Sequence, residues 1–153
     1  VVREKNAELA KLAYGANYEQ VASAPVTIAL FTDTDLAKRA RKIARTGGAN
    51  NFSEEQLQYF LKNLPAEYAR YSDQQVSDYL ALNAGLVAMN LVLALTDQGI
   101  GSNIILGFDK SKANEVLEIE ERFRPELLIT VGYTDEKLEP SYRLPVDEII
   151  EKR

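Results

Sequence analysis

The stretch SDQQVSDYLALNAGLVAMNLVLALTDQGIGSNIILGFD, Ser72 to Asp109, decides the fold. From Val76 to Leu95 nearly every position is apolar or small, with only Ser77, Asp78, Asn83 and Asn90 interrupting. A helix here is apolar over most of its circumference, the pattern of a buried helix. Ser72 with Gln75 fits a capping box, and Gly99 fits the left-handed residue that ends a helix. Between these caps lie about 25 residues, or about 40 Å of helix, enough to cross a small domain. The polar interruptions and the acidic ends cut the apolar run below the roughly 20 residues that a bilayer core requires, so no membrane span is expected. A single small domain cannot easily cover every side of so long an apolar rod, so a subunit interface is the second expectation for it.

The remainder of the chain supplies what packs on that rod. Helical spacing from Glu4 to Ala22 puts Leu9, Leu12, Ala13 and Ala16 on one face, with Gly15 weakening the middle. After Pro25, VTIALF (Val26 to Phe31) reads as a short buried strand. Thr32 to Asp35 form a turn and cap that open a basic helix from Leu36 to about Arg45. The run at 46–51, TGGANN, is a surface loop by composition. Ser53 and Gln56 form a second capping box, starting a helix with Leu57, Phe60, Leu61 and Leu64 on one face, which Pro65 ends or restarts. Tyr59, Tyr68 and Tyr71 make an aromatic group suited to packing.

Beyond the long helix, Asn103 to Leu106 reads as a second strand. Gly107 follows, where bare backbone can approach a flat ligand, and Asp109 caps a short helix from Lys110 to Leu117. Glu118 to Arg124 is a charged loop, ELLITVGY (Glu126 to Tyr133) a third strand, and Val146, Ile149 and Ile150 mark a short amphipathic helix in the tail. Three strands among long helices indicate an α+β or three-layer α/β domain with a small sheet. The opening Val1-Val2 reads as the end of a strand whose preceding chain lies upstream.

Composition narrows the chemistry. The 153 residues allow one domain with a substantial core. The net charge of -5, without a run of Lys or Arg long enough to reverse it, argues against a nucleic-acid partner. With no cysteine and no histidine, the chain can build no Cys/His zinc site, no Ser-His-Asp triad and no imidazole base. Any chemistry must come from carboxylates, Tyr, Lys, Arg, main chain or a cofactor; no catalytic side chain and no metal site is expected. Absence of cysteine is compatible with a reducing cytoplasm.

Three blocks carry a family resemblance: ANYEQVASAPVTIALFTD, ALNAGLVAMNLVLALTDQGIGSNIILGFD, and LLITVGYTDEKLEPSYRLP. Their order and the Gly-Phe-Asp and SYRLP signatures resemble the nitroreductase family of flavin enzymes. The resemblance implies an α+β, three-layer α/β/α fold with a small, mainly antiparallel sheet and the long helix at a homodimer interface. It implies FMN as cofactor, NADH or NADPH as co-substrate, and nitroaromatics, quinones or similar flat acceptors reduced by ping-pong hydride transfer. The alternative is a flavin-binding carrier or dimeric interaction module without turnover, since a fold match does not fix activity.

By position, the resemblance places main chain at Ile105, Leu106 and Gly107 against the flavin ring. It places Asn17 and Gln20 against the ring or ribityl chain, and Arg143 with Ser141 on the FMN phosphate. Leu106 stands where some relatives have Glu, and Gln20 where some have Lys. The Arg-Arg-Ser clamp and the pocket-lining segment with which relatives begin have no counterpart, so residues 1–153 are expected to be a single family domain lacking its N-terminal part.

Overall fold

A computed structural model of the chain describes residues 1–46, 52–135, 141–151 and 153. The Gly-Asn run at 47–51 and the stretch 136–140 lie outside the described residues, so the surface loop expected at 46–51 is described only at Thr46. In chain order the elements are α1 (Asn6–Ala10), α2 (Asn17–Ser23), β1 (Val26–Asp33), α3 (Leu36–Thr46), α4 (Glu54–Tyr68), α5 (Asp73–Asp97) and β2 (Gly101–Ile105). A 3-10 turn (Lys110–Lys112), α6 (Ala113–Leu117), β3 (Phe123–Gly132) and α7 (Val146–Ile149) complete the chain.

The sheet has the order β1-β3-β2, antiparallel throughout. Its central strand β3 is buried along Pro125 to Thr130. On one face Leu128 packs with Leu9, Leu12, Ala13, Val21, Ile105 and Phe108 from the α1, α2 and α6 side. On the other, Leu127 and Ile129 meet Ala88 of α5, with Leu91 and Val92 beside them. Helices on both faces of a small antiparallel sheet give the three-layer α+β architecture expected. Val2 and Thr27 exchange backbone hydrogen bonds of 2.7 and 3.1 Å on the outer edge of β1, the strand-like pairing read for the opening valines.

Several boundaries differ from expectation, each for a local reason. The helix read over Glu4 to Ala22 is broken, because Gly15 takes φ +55° and turns the chain between α1 and α2. Pro65 lies inside a continuous α4 rather than ending it. The second strand begins at Gly101 and stops at Ile105, one residue short of Leu106. Phe123 and Arg124, read as charged loop, already belong to β3. Tyr68 and Tyr71 pack at 5.6 Å between ring centroids and are joined by Tyr79, whereas Tyr59 is 63% exposed and packs on Phe60. The hydrogen bond to Tyr79, with burial, pushes the Tyr68 hydroxyl up to about 12.

The long helix begins and ends as read. Ser72 Oγ accepts the Gln75 N–H, Gln75 Oε1 accepts the Ser72 N–H at 2.9 Å, and Gly99 turns the exit at φ +69°. Its burial is different from expectation. Only Leu80, Ala84 and Ala88, spaced four apart, are buried within the chain. Leu82, Leu86, Met89 and Leu93 form an exposed stripe on another face, Leu82 and Leu86 at 65% each. By length and composition alone, with a mean hydropathy of 1.7, α5 is long and apolar enough to cross a membrane, a test that the core helix of a soluble protein also passes. Its buried stripe nevertheless lies on the sheet as in a globular core.

A β-bulge fastens the start of α5 to the sheet. Leu30 pairs with Leu127 but Phe31 with Pro125, so Glu126 is an extra residue on β3. Glu126 Oε1 there accepts hydrogen bonds from Thr32 Oγ1 at 2.5 Å and Arg124 Nε at 2.8 Å. The same guanidinium donates to Ser77 Oγ at 2.7 Å and to the Ser77 carbonyl at 3.0 Å. Arg124 thus both neutralises a buried carboxylate and holds the second turn of α5. Removing one partner of a buried pair leaves the other charge uncompensated, at about 3 kcal/mol. Arg124→Ala should lower stability by about that amount in denaturant unfolding, and adding Glu126→Gln should recover part of it; a loss under about 0.5 kcal/mol would show that the clamp contributes nothing.

Candidate functional site

The chain leaving β2 crosses the chain leaving α1. Phe108, 3% exposed, anchors the crossing in the core and forms a bridge with Ala13. On either side of it, Tyr14 N–H donates to the Gly107 carbonyl at 2.9 Å and Asp109 N–H to the Leu12 carbonyl at 2.8 Å. Asp109 then caps the following turn, accepting the Ser111 N–H at 3.1 Å and hydroxyl at 2.6 Å. The Ser111 hydroxyl, foremost, holds the Asp109 carboxyl below the ordinary aspartate range. Because its folded value is depressed, the stabilisation from this cap is present above the ordinary range and is lost as pH falls through the depressed value.

Gly15 aims α2 back over this crossing. Asn17 Nδ2 donates a second hydrogen bond to the Gly107 carbonyl, at 3.2 Å. One turn along α2, Gln20 Oε1 accepts a hydrogen bond from Asn103 Nδ2 at 2.7 Å. Asn17 and Gln20 therefore line one face of α2 and lie along the β2 exit, as i and i+3 positions on a helix do. A Cβ at Gly107 would sit 2.7 Å from Asn17 Nδ2, so a side chain there would displace that amide. Around these amides, Leu106 is 65% and Tyr14 60% exposed, while Ile105 is buried in the core.

The result is a shallow patch of neutral amides, bare main chain and two exposed apolar groups. Among the described residues, those that form it include no carboxylate and no cation. Among the described residues there is no cluster of His, Cys, Asp or Glu able to hold a metal. Such a surface suits a flat heteroaromatic ring whose edge carries hydrogen-bonding atoms. The bare backbone at Gly107 and the amides of Asn17 and Asn103 are the groups this patch offers to such a ring.

The residues read from sequence are only partly brought together. Asn17, Gln20, Ile105, Leu106 and Gly107 meet at one place. Ser141 and Arg143 lie in an exposed tail, and Arg143 Nη1 donates to the neighbouring Tyr142 carbonyl at 2.9 Å, with no ion pair among the described residues. Asn103 and Tyr14 were missed. The signal for Asn103 was its place two residues before buried Ile105 in an alternating strand, a position where a polar side chain needs a partner. A hollow of about 690 Å³, bounded by Val2, Lys5, Ala29, Leu117 and Ile119, is away from this patch.

Comparisons with known proteins bear on the family and the fold. A model of the nitroreductase family matches residues 1–133. Spy0809 of Streptococcus pyogenes serotype M6, named "Putative NAD(P)H nitroreductase", is 61% identical over 153 residues, covering 100% of this chain and 76% of that protein. The crystal structure of a nitroreductase family protein from Streptococcus pneumoniae TIGR4 matches with a TM-score of 0.94 and 94% identity, over 99% of this chain and 76% of that one. A structure from Exiguobacterium sibiricum, described as "a putative nitroreductase in complex with FMN", matches at 26% identity with a TM-score of 0.86, over 97% of this chain and 71% of that one. A three-layer fold with a glycine-bared strand exit, and a family match across nearly all of its length, place this chain in the nitroreductase family of oxidoreductases.

Proposed function

We propose that the protein is an FMN-dependent NAD(P)H oxidoreductase that reduces nitroaromatics, quinones or similar flat acceptors by ping-pong hydride transfer, working as a homodimer in the cytoplasm. The observation that carries this reading is the Gly107 exit. Its carbonyl is held by Asn17 and Tyr14, and its missing side chain leaves main chain beside exposed Leu106. FMN, when bound, supplies a ring that takes up hydride and gives it on.

The chain's own residues have simpler work. Main chain from Ile105 to Gly107 lies against the ring edge, where fixed amide dipoles favour negative charge on a reduced flavin. Asn17 and Gln20 orient the ring or ribityl chain through neutral amides. Leu106 presents an apolar surface without a carboxylate that would oppose that charge. Arg143, whose guanidinium keeps most of its donors uncommitted, grips the phosphate with Ser141 beside it. Nicotinamide and then acceptor occupy the open face in turn, so one flat site serves both.

The homodimer reading rests on the free stripe of α5. Leu82, Leu86, Met89 and Leu93 recur at spacings of three and four, the pattern by which two helices pack. Gly85 lies on that stripe, and an added Cβ there meets nothing within 4 Å in its own chain.

Purified protein that is yellow and consumes NADPH with a quinone meets this reading; yellow protein without turnover supports the flavin-carrier alternative. Protein that cannot be reconstituted with FMN overturns both. Arg143→Ala should weaken FMN affinity by about tenfold, the scale of one charge-assisted hydrogen bond, while leaving the unfolding midpoint unchanged; unaltered affinity in a fluorescence titration would remove Arg143 from the phosphate site. Gly85→Leu should fold as well as the parent, yet shift sedimentation towards monomer. An unchanged dimer in that variant would place the interface elsewhere.

A further inference from the structure

The chain is acidic, but its charge is unevenly placed. Helix α3, LAKRARKIART, holds five of the 18 cations and none of the 23 acids. Against a net charge of -5, the rest of the chain therefore carries -10. Ala40 and Ala44 are the buried positions of α3, which packs on α4. Lys38, Arg39, Arg41, Lys42 and Arg45 are all exposed, and among the described residues none of them enters an ion pair. Lys38, Arg41, Lys42 and Arg45 fall at i, i+3, i+4 and i+7, so they form one stripe. The acid nearest in sequence, Asp35, is engaged as a cap, its Oδ1 accepting the Lys38 N–H at 2.9 Å.

Topology puts this stripe at the same end of the sheet as the Gly107 exit. Strands β1 and β2 both run antiparallel to β3, so they run parallel to each other and leave the sheet in the same direction. Ala29 of β1 and Ile105 of β2 both pair with Leu128 and are level across the sheet. From Ala29 the chain runs four more residues to Asp33, about 13 Å, and α3 starts three residues later. The candidate ring site starts one residue past Ile105. An extended dinucleotide is long enough to have its nicotinamide at the second place and its phosphates at the first.

We propose that the cationic face of α3 receives the phosphates of the dinucleotide co-substrate and favours NADPH over NADH. This rests on the oxidoreductase reading above. NADPH differs from NADH only by the 2′-phosphate on its adenosine ribose, and it carries the greater negative charge. Every other part of this acidic chain repels it on average. A compact group of cations at the same end of the sheet, in no ion pair among the described residues, focuses its approach and holds the added phosphate. The stripe is a convex helix face, which suits an extended polyanion held from one side. An anionic membrane is the rival occupant, and it accounts less well for the position of the stripe at the Gly107 end.

The test uses full-length protein loaded with FMN and a variant with Lys38, Arg41, Lys42 and Arg45 all changed to Gln. The probe 2′,5′-ADP should bind the parent and bind the variant about tenfold more weakly or worse by calorimetry. kcat/KM for NADPH should fall by a similar factor, and for NADH by less, with FMN content unchanged. In the parent, added salt should lower kcat/KM for NADPH more steeply than for NADH; this measurement stands even if the fourfold variant does not fold. Equal probe affinity in parent and variant, or equal salt dependence for the two dinucleotides, overturns the proposal. Unchanged probe affinity with loss of binding to vesicles rich in anionic lipid would assign the stripe to a membrane instead, and also overturns it. A parent that holds no FMN or oxidises neither dinucleotide refutes the underlying oxidoreductase reading, an outcome distinct from these.

Discussion

Double burial of one strand constrains everything else. β3 sits between two other strands and between two helical layers, so its side chains must satisfy a different neighbour at each step. Strict alternation serves this from Leu127 to Val131, where odd positions meet α5 and Leu128 meets the α1 side. At Glu126 the alternation is broken by one residue, and the break admits a carboxylate that only Arg124 and Thr32 can satisfy. The arginine that does so also reaches Ser77. A buried charge, costly alone, is thereby used to fix where the long helix starts on the sheet. The far end of that helix then sets where β2 begins, and β2 delivers Gly107.

The ring site depends on a second economy. A single carbonyl, that of Gly107, accepts from a backbone N–H of one segment and a side-chain amide of another. This ties α2, the α1 exit and the β2 exit together without charge. The hydrogen bonds that build this surface are made by neutral amides and main chain. Charged groups gather in the Arg124 clamp, in the pairing of Lys5 with Glu118 at 2.7 Å, and on α3.

Much of this was legible in sequence where local chemistry governs. Both ends of α5 followed from Ser72, Gln75 and Gly99, because caps act within one turn. Family signatures pointed to Asn17, Gln20 and Gly107, which the fold brings together. What escaped was tertiary. Apolar periodicity reports that Leu82 and Leu86 avoid water, not which chain covers them, so α5 was read as buried when most of it is open in a single copy. The split between α1 and α2 turned on Gly15 adopting a left-handed conformation, where propensity records only a weak point. A bulge at Glu126 leaves no local trace, because it depends on the partner strand. Arg143 carries a signature, but its guanidinium is hydrogen-bonded to the neighbouring Tyr142 carbonyl in an exposed stretch.

The Glu126 bulge also bears on how this domain tolerates change in length. An ordinary ladder can slip by two residues and restore its inside-outside pattern. A strand with one surplus residue at a fixed place cannot, because any slip separates the surplus from the arginine and threonine that match it. β3 is thus keyed to β1 like a notched rule. A residue added to or taken from β3 would break that match, whereas a change of length in a connection, such as the arm between β1 and α5, would leave it and the geometry at Gly107 undisturbed.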